Sequence, residues 1–396
     1  FSSRVLPGDF GVILDIWFLE KENKMRVAKA AFLAAQAGIP TVLVGDYGIG
    51  KSTVNYKFAK FWLQNKGYNP NNIVHFPMVG ALTEDLIGYP EIQEDAEVGK
   101  ITVNIPHERI KKLIHGKVVL LLEELNRGDE RIQNAIAQIL DGELGQFGKN
   151  GEILVLATMN KQGRGIYELN ENLISRMAFY ECRIDANEER LAILTGKYDT
   201  ENRFIPLPDN WKNHIPVVRS WLAGFYEFRP TAFMPSKEFN IDGPWPNPRS
   251  RDKLAVPTLA AMASVGDLDT EDIGEALEAT MGKSFSVEFK TWFRTKEYPN
   301  PRQILEAIKN GQAPKFKGGI PAFICVFGEV LYLIKNSPRE EAYILMEKVL
   351  DYFGKNASEL EEARMFTVFL YLQERELIRR VPPSLASIYT KFKERI

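Results

Sequence analysis

The chain has 396 residues, a formal net charge of −2 and two cysteines. That length is enough for two or three well-filled domain cores, and near-neutrality argues against a polyanion-binding surface as the main business, leaving open only a local basic groove. Cys182 and Cys325 stand far apart with no CxxC spacing, which suggests neither a disulfide framework nor a zinc site.

In chain order, residues 25–37 read as an amphipathic helix stopped by Gly38. Residues 41–44 are a short apolar run with β-branched residues, entered from Pro40, and are expected to form a buried strand. A helix is expected over 52–64, with Phe58, Phe61 and Trp62 on its packing side, then a turn at 69–72 and a strand over 73–78. A short helix over 82–88, capped by Thr83 and ended by Gly88, precedes an alternating stretch, 91–106, that suits an inserted hairpin. The helix resumes over 107–115. Residues 117–122 are continuously apolar after the lysine, as a strand buried on both faces of a parallel sheet would be, and they end in Glu123 and Glu124. A helix over 130–140, a glycine-rich projecting hairpin over 141–151 and a buried strand over 152–158 follow, the strand delivering Asn160. Arg176 falls near a helix terminus in 172–177, before a last strand over 178–184.

Strand and helix thus alternate from 40 to 184, which calls for a parallel sheet with helices on both faces. Beyond 186 the pattern turns helical, over 188–195, 217–228, 251–263 and 270–294, with an ordered proline- and aromatic-rich loop at 228–248. From 310 to 396 it is helical again, broken at 317–319, 336–338 and 381–383. The most apolar stretch, 318–334, carries Pro321, Glu329 and three glycines and falls short of the roughly 20 clean apolar residues a membrane span needs. A buried helix, no membrane partner and a cytoplasmic protein are the expectations. The sequence as given starts at Phe1 without a signal-peptide pattern.

Chemistry concentrates at 45–53. Gly45-Asp46-Tyr47-Gly48-Ile49-Gly50-Lys51-Ser52 fits G-x-x-x-x-G-K-[ST], the P-loop. Glycines let backbone N–H groups wrap phosphate oxygens, and the following helix presents its free N–H groups and positive dipole end to the same anion. Gly45, Tyr47, Gly48, Ile49, Gly50, Lys51, Ser52 and Thr53 are therefore the expected ATP cradle, with the Ser52 hydroxyl on Mg²⁺. Open parallel sheets bind ligands at the carboxyl ends of their strands, where Gly45, Glu123, Glu124 and Asn160 all fall. Glu123 is expected toward the metal, Glu124 as general base toward the attacking water, and Asn160 as the group orienting that water.

Together, 45–52, LLLEELNR at 120–127, LATMN at 156–160 and NLISRM at 172–177 resemble AAA+ ATPases, specifically the MoxR-like branch. The Asn126-Arg127 pair after the acidic segment and the insertion after 83–88 are similar to that branch, as is Pro246-Asn-Pro-Arg249-Ser to its sensor 2 motif. The resemblance covers about 25–305 and implies an α/β core (1–186), a helical lid (187–309) and a helical extension of unassigned role (310–396). It further implies that Asn160 is sensor 1, Arg176 an arginine finger and Arg249 (or its neighbour Arg251) sensor 2. Rings of six subunits follow from the same resemblance, with 91–106 and 141–151 lining a pore, a remodelled protein substrate and a von Willebrand factor A domain partner. One position departs: the family usually carries Asp where this chain has Glu123. Restriction-associated members of the branch make a nucleic-acid motor one alternative, and a nucleotide-gated scaffold with little hydrolysis is another.

Overall fold

The computed structural model describes residues 29–141, 152–163, 165–182, 194, 204–233, 243–266, 268–295, 300–312, 314, 320–355, 374–379 and 385. The chain falls into two compact units, Phe1–Leu207 with Glu238–Thr258 and Glu271–Ser286, and Pro208–Lys237 with Leu259–Thr270 and Val287–Ile396.

The first unit is built on a five-stranded sheet, all parallel. Its strands are β1 (Thr41–Gly45), β2 (Ile73–Pro77), β5 (Val118–Glu123), β6 (Ile153–Asn160) and β7 (Ala178–Glu181), in the spatial order β2-β5-β6-β1-β7. Runs such as Val-Val-Leu-Leu-Leu suit the centre of such a sheet because both strand faces are covered. Val118, Leu120 and Leu122 join one cluster with Ile110, Leu113, Ile132, Ile136 and Leu173. Those partners come from α4 (Glu108–His115), α5 (Glu130–Leu140) and α6 (Glu171–Ile174). Val119 and Leu121 alternate to the other face. That face belongs to α2 (Lys51–Asn65), which packs on β5 and β6, and to α1 (helical over 29–36), whose Phe32 stacks on Phe58 of α2 at 4.2 Å. Each fully buried aliphatic side chain contributes roughly 1.5–3 kcal/mol of transfer free energy, so this strand is pinned in depth as well as in register.

The inserted stretch forms the expected antiparallel hairpin, β3 (Tyr89–Asp95) with β4 (Gly99–Ile105), after the short α3 (Glu84–Ile87). Thr83 does not cap α3. Its own backbone is already helical, and its side chain makes no capping bond. Asp85 instead reaches back past Thr83, accepting from Leu82 N–H at 3.1 Å and fixing the chain as it enters the helix.

The helix expected over 270–294 is two helices, α9 (Thr270–Met281) and α10 (Lys283–Thr295). Gly282 separates them. A side chain there would come within 2.3 Å of the Pro244 carbonyl, so the backbone at 282 turns where only glycine fits. The segment expected as a helix from 251 opens as a π-helical turn, Ser250–Ala255, before α8 (Val256–Ala263).

The second unit is helical. α7 (Ile215–Phe228) contributes Phe225 to an aromatic cluster with Phe289 and Trp292. α11 (Pro301–Lys309), α12 (Ile320–Lys335) and α13 (Arg339–Lys355) share an apolar core with Phe323, Phe327, Met346 and Phe353. The apolar stretch checked for a membrane span is thus α12, a helix buried in this unit. Among the described residues no helix is long and apolar enough to cross a membrane. The expectations for 1–28, 142–151, 188–193 and the breaks at 317–319 and 381–383 lie outside the described residues.

Candidate functional site

Strand register brings the candidate residues onto one rim. Gly45, the last residue of β1, pairs with Asn160, the last of β6, and Leu122 of β5 pairs with Ala157 of β6. Glu123 and Glu124 therefore leave the sheet beside Thr158 and Asn160. A Cβ on Gly45 would lie 2.6 Å from Ile49 Cδ1 and 2.7 Å from the Cys182 carbonyl, so the loop can fold back over the strand end only without one.

The loop passes through left-handed backbone at Gly48 (φ 76°) and at Gly50 (φ 87°), the N-cap of α2. No side chain caps α2 and no acidic residue stands in its first turn. Its leading N–H groups and positive dipole end are left for an anion. Lys51 opens the helix, is only 8% exposed, and points back into the loop. Its Nζ donates to the carbonyls of Gly45 (2.9 Å) and Asp46 (2.6 Å) and to Asn160 Oδ1 (2.9 Å). Burial pushes this ammonium below the ordinary lysine value, against the opposing pull of Cys182, Asp46 and Glu124. Ser52 and Thr53 are exposed on the first turn of α2.

On the neighbouring strand end, Glu124 holds a left-handed conformation (φ 53°, ψ 54°). For a non-glycine residue this costs of order 1–3 kcal/mol, and such strain collects at working sites. Its N–H donates to Thr158 Oγ1 at 3.1 Å, a buried hydroxyl that holds the turn. Both carboxylate oxygens have partners. Asn160 Nδ2 donates to Oε1 at 3.2 Å, and Arg127 Nε lies 3.1 Å from Oε2. Asn160 thus joins Lys51 to Glu124. Asn126, buried one residue before Arg127, donates to the Asn160 main-chain carbonyl at 2.8 Å.

Glu123 faces β2 rather than the loop: its Oε2 lies 2.9 Å from His75 Nε2, and both side chains are partly solvent-accessible. Arg176 and Arg249 come together at a different place. Arg176 binds both oxygens of Asp141, at the end of α5, through Nε (2.9 Å) and Nη2 (2.6 Å), and its Nη1 donates to the Asn172 carbonyl. Arg249 Nη2 lies 3.9 Å from Asp141 Oδ1, whereas Arg251 pairs with the adjacent Asp252. Among the described residues, no hydrogen bond or ion pair joins Arg176 or Arg249 to Lys51, Glu124 or Asn160.

Several participants carried no legible role in the sequence. Thr158 is one apolar-strand residue among others, Asp141 reads as the start of the projecting hairpin, and His75 as a solvated or locally bonded histidine. The Asn126-Arg127 pair was visible as a motif, but its contacts with Asn160, Glu124 and Tyr47 depend on how the loops after β5 and β6 fold. No known family model and no curated protein sequence matches the chain.

Proposed function

We propose that the chain is a Mg²⁺-dependent ATPase of the MoxR-like AAA+ kind that uses hydrolysis, in a ring of subunits, to remodel a protein partner. The observation carrying this reading is the Lys51–Asn160–Glu124 chain of hydrogen bonds across the ends of β1, β6 and β5. A phosphate cradle, a water-orienting amide and a carboxylate base stand in one connected set, the combination that phosphoryl transfer to water requires.

The residues present fit the groups that this reaction needs. The glycine loop and uncapped α2 offer donors to the β- and γ-phosphates, and Lys51 exchanges its two loop carbonyls for phosphate oxygens. Ser52, exposed on the first turn of α2, would hold Mg²⁺ and its water, joined by Glu123 once its carboxylate turns from His75. The metal, when bound, neutralises charge on the β- and γ-oxygens. Glu124, fixed at both oxygens, takes the proton from water as the water oxygen attacks the γ-phosphorus and the bond to ADP breaks. Asn160 orients that water. Arg176 carries positive charge for a γ-phosphate held by a neighbouring subunit, and Arg249 is the sensor 2 arginine of the lid.

The decisive experiment is turnover with paired variants. Glu124→Gln should bind ATP and hydrolyse it at least ~100-fold more slowly, since a positioned base contributes about 10²–10⁴ in rate. Glu123→Gln should weaken the Mg²⁺ dependence instead. Full turnover in Glu124→Gln would overturn the assignment of the base. A second reading, a nucleotide-gated scaffold with little hydrolysis, is favoured by the His75–Glu123 contact, which engages the carboxylate proposed for the metal. Tight ATP binding without measurable turnover in the unmodified protein would select it.

A further inference from the structure

The contacts around Glu124 close into a ring. Lys51 bonds Asn160, Asn160 bonds Glu124, and Glu124 pairs with Arg127. Arg127 Nη2 then donates to the Tyr47 hydroxyl at 3.2 Å, and Tyr47 belongs to the P-loop, directly after the Asp46 carbonyl that Lys51 holds. Tyr47 is half exposed, and its hydroxyl end lies against Gly163, where any Cβ would sit 2.1 Å from the hydroxyl. The absence of a side chain at Gly163 therefore leaves the space that the Tyr47 hydroxyl occupies. At Gly165 a Cβ would only touch Arg127, 3.9 Å from Nη1.

We propose that Tyr47 and Arg127 are positioning residues for Glu124, reporting phosphate on Lys51 to the base through the P-loop. This rests on the hydrolytic reading above and adds a second route to it. The first route runs through Asn160. The second runs through the loop itself. A phosphate seated on Lys51 takes the ammonium from the Asp46 carbonyl, freeing the peptide that carries Tyr47. Tyr47 moves with the loop, Arg127 follows its hydroxyl, and the Glu124 carboxylate is set at Oε2 while Asn160 sets Oε1. Each oxygen keeps a lone pair for water. The route joins an ion pair, Arg127 to Glu124, to a hydrogen bond from the same guanidinium to the Tyr47 hydroxyl, so one cation links the loop to the carboxylate.

The test is a double-mutant cycle on ATP turnover with Tyr47→Phe, Arg127→Ala and the double variant, each checked for its melting temperature and for ATP affinity by titration. Tyr47→Phe keeps the loop N–H groups and the ring and removes only the hydroxyl. The expected result is an ATP KM within about twofold and a kcat lowered about five- to tenfold, a part of the roughly 10²–10⁴ that a positioned base supplies. Arg127→Ala should lose more, Arg127→Lys should recover part of it, and the double variant should be no worse than Arg127→Ala alone. In a Glu124→Gln background neither substitution should have any further effect. Multiplicative losses in the double variant, or an unchanged kcat in Tyr47→Phe, would overturn the relay while leaving the ATPase reading standing. Absence of both ATP binding and turnover in the unmodified protein would remove that reading, and this inference with it.

Discussion

Asn126 donates its side-chain amide to the main-chain carbonyl of Asn160 at 2.8 Å, tying the turn after β5 to the last residue of β6. The bond is buried, and Asn126 also offers its own carbonyl to the Tyr167 N–H. Asn126 therefore fixes the backbone from which Asn160 reaches Lys51 and Glu124. Asn126→Ala leaves a buried carbonyl without its partner, which costs about 1–3 kcal/mol. The expected outcome is a melting temperature lowered by a few degrees, with kcat reduced more than ATP affinity, read by thermal denaturation and steady-state kinetics.

Lys51→Ala should abolish ATP binding with the fold intact. Lys51 is buried among loop carbonyls and the Asn160 amide, not in an apolar core. Burial already disfavours its charge. Removing it relieves that desolvation while the loop carbonyls regain access to water, so the two effects offset. Circular dichroism should be unchanged. ATP affinity should fall below detection by calorimetry, and retained micromolar affinity would count against Lys51 as the phosphate-binding lysine.

Cys182 supplies a pH test of the same pocket. Burial pushes its thiol up to about 11, while Lys51 pulls the other way. The reactive species is the thiolate, so raising the pKa slows the reaction at any pH below it. Against the ordinary value of 9.0, a thiol at about 11 holds about 100-fold less thiolate near pH 8. In a Cys325→Ser background, alkylation of Cys182 by iodoacetamide should be correspondingly slow at pH 8. It should rise close to tenfold per pH unit up to pH 10 without levelling off. A plateau near pH 9 would mean that the Lys51 charge offsets burial. Lys51→Ala removes that charge and should slow alkylation further.

The sheet was legible because its strands are buried on both faces. A continuous apolar run such as 118–122 has few other uses in a chain with no membrane-spanning helix among its described residues. Three strand ends could likewise be read as one rim, since parallel strands end on the same side of their sheet. What could not be read were contacts set by single side chains on turns. Glu124 in left-handed backbone depends on the Thr158 hydroxyl one strand away. The break at Gly282 depends on the Pro244 carbonyl, 38 residues earlier in the sequence and in contact only after folding. Thr83 reads as a cap because its residue type favours one, yet its backbone is already helical and Asp85 holds the entering chain at Leu82. Asp141 reads as the first residue of a projecting hairpin, yet it collects both the arginine-finger and the sensor 2 candidates.

That last relationship separates structure from catalysis at Arg176. Its guanidinium is bidentate to Asp141 and only 16% exposed, so Arg176→Ala breaks a well-formed ion pair as well as removing a positive charge. Loss of activity in that variant alone would therefore be ambiguous. Asp141→Ala breaks the same pair and keeps the arginine. If the pair matters only for stability, the two variants should melt alike and lose activity alike, with changes of about 1 kcal/mol or less for a partly exposed pair. If Arg176 supplies charge to the γ-phosphate of the next subunit, the two diverge. An arginine finger is worth about 10³–10⁵ in turnover, so Arg176→Ala should bind ATP normally and be almost inactive. Asp141→Ala should hydrolyse ATP at least as fast as the unmodified protein, because the arginine no longer has to leave a carboxylate. Mixing Arg176→Ala with Lys51→Ala completes the test. The first brings an intact cradle and the second an intact arginine, so mixed rings contain some whole sites and should recover activity above either variant alone. If mixed assemblies recover nothing while each variant still exchanges subunits, Arg176 does not act across an interface, and the Asp141 pair is a structural clamp at the end of α5.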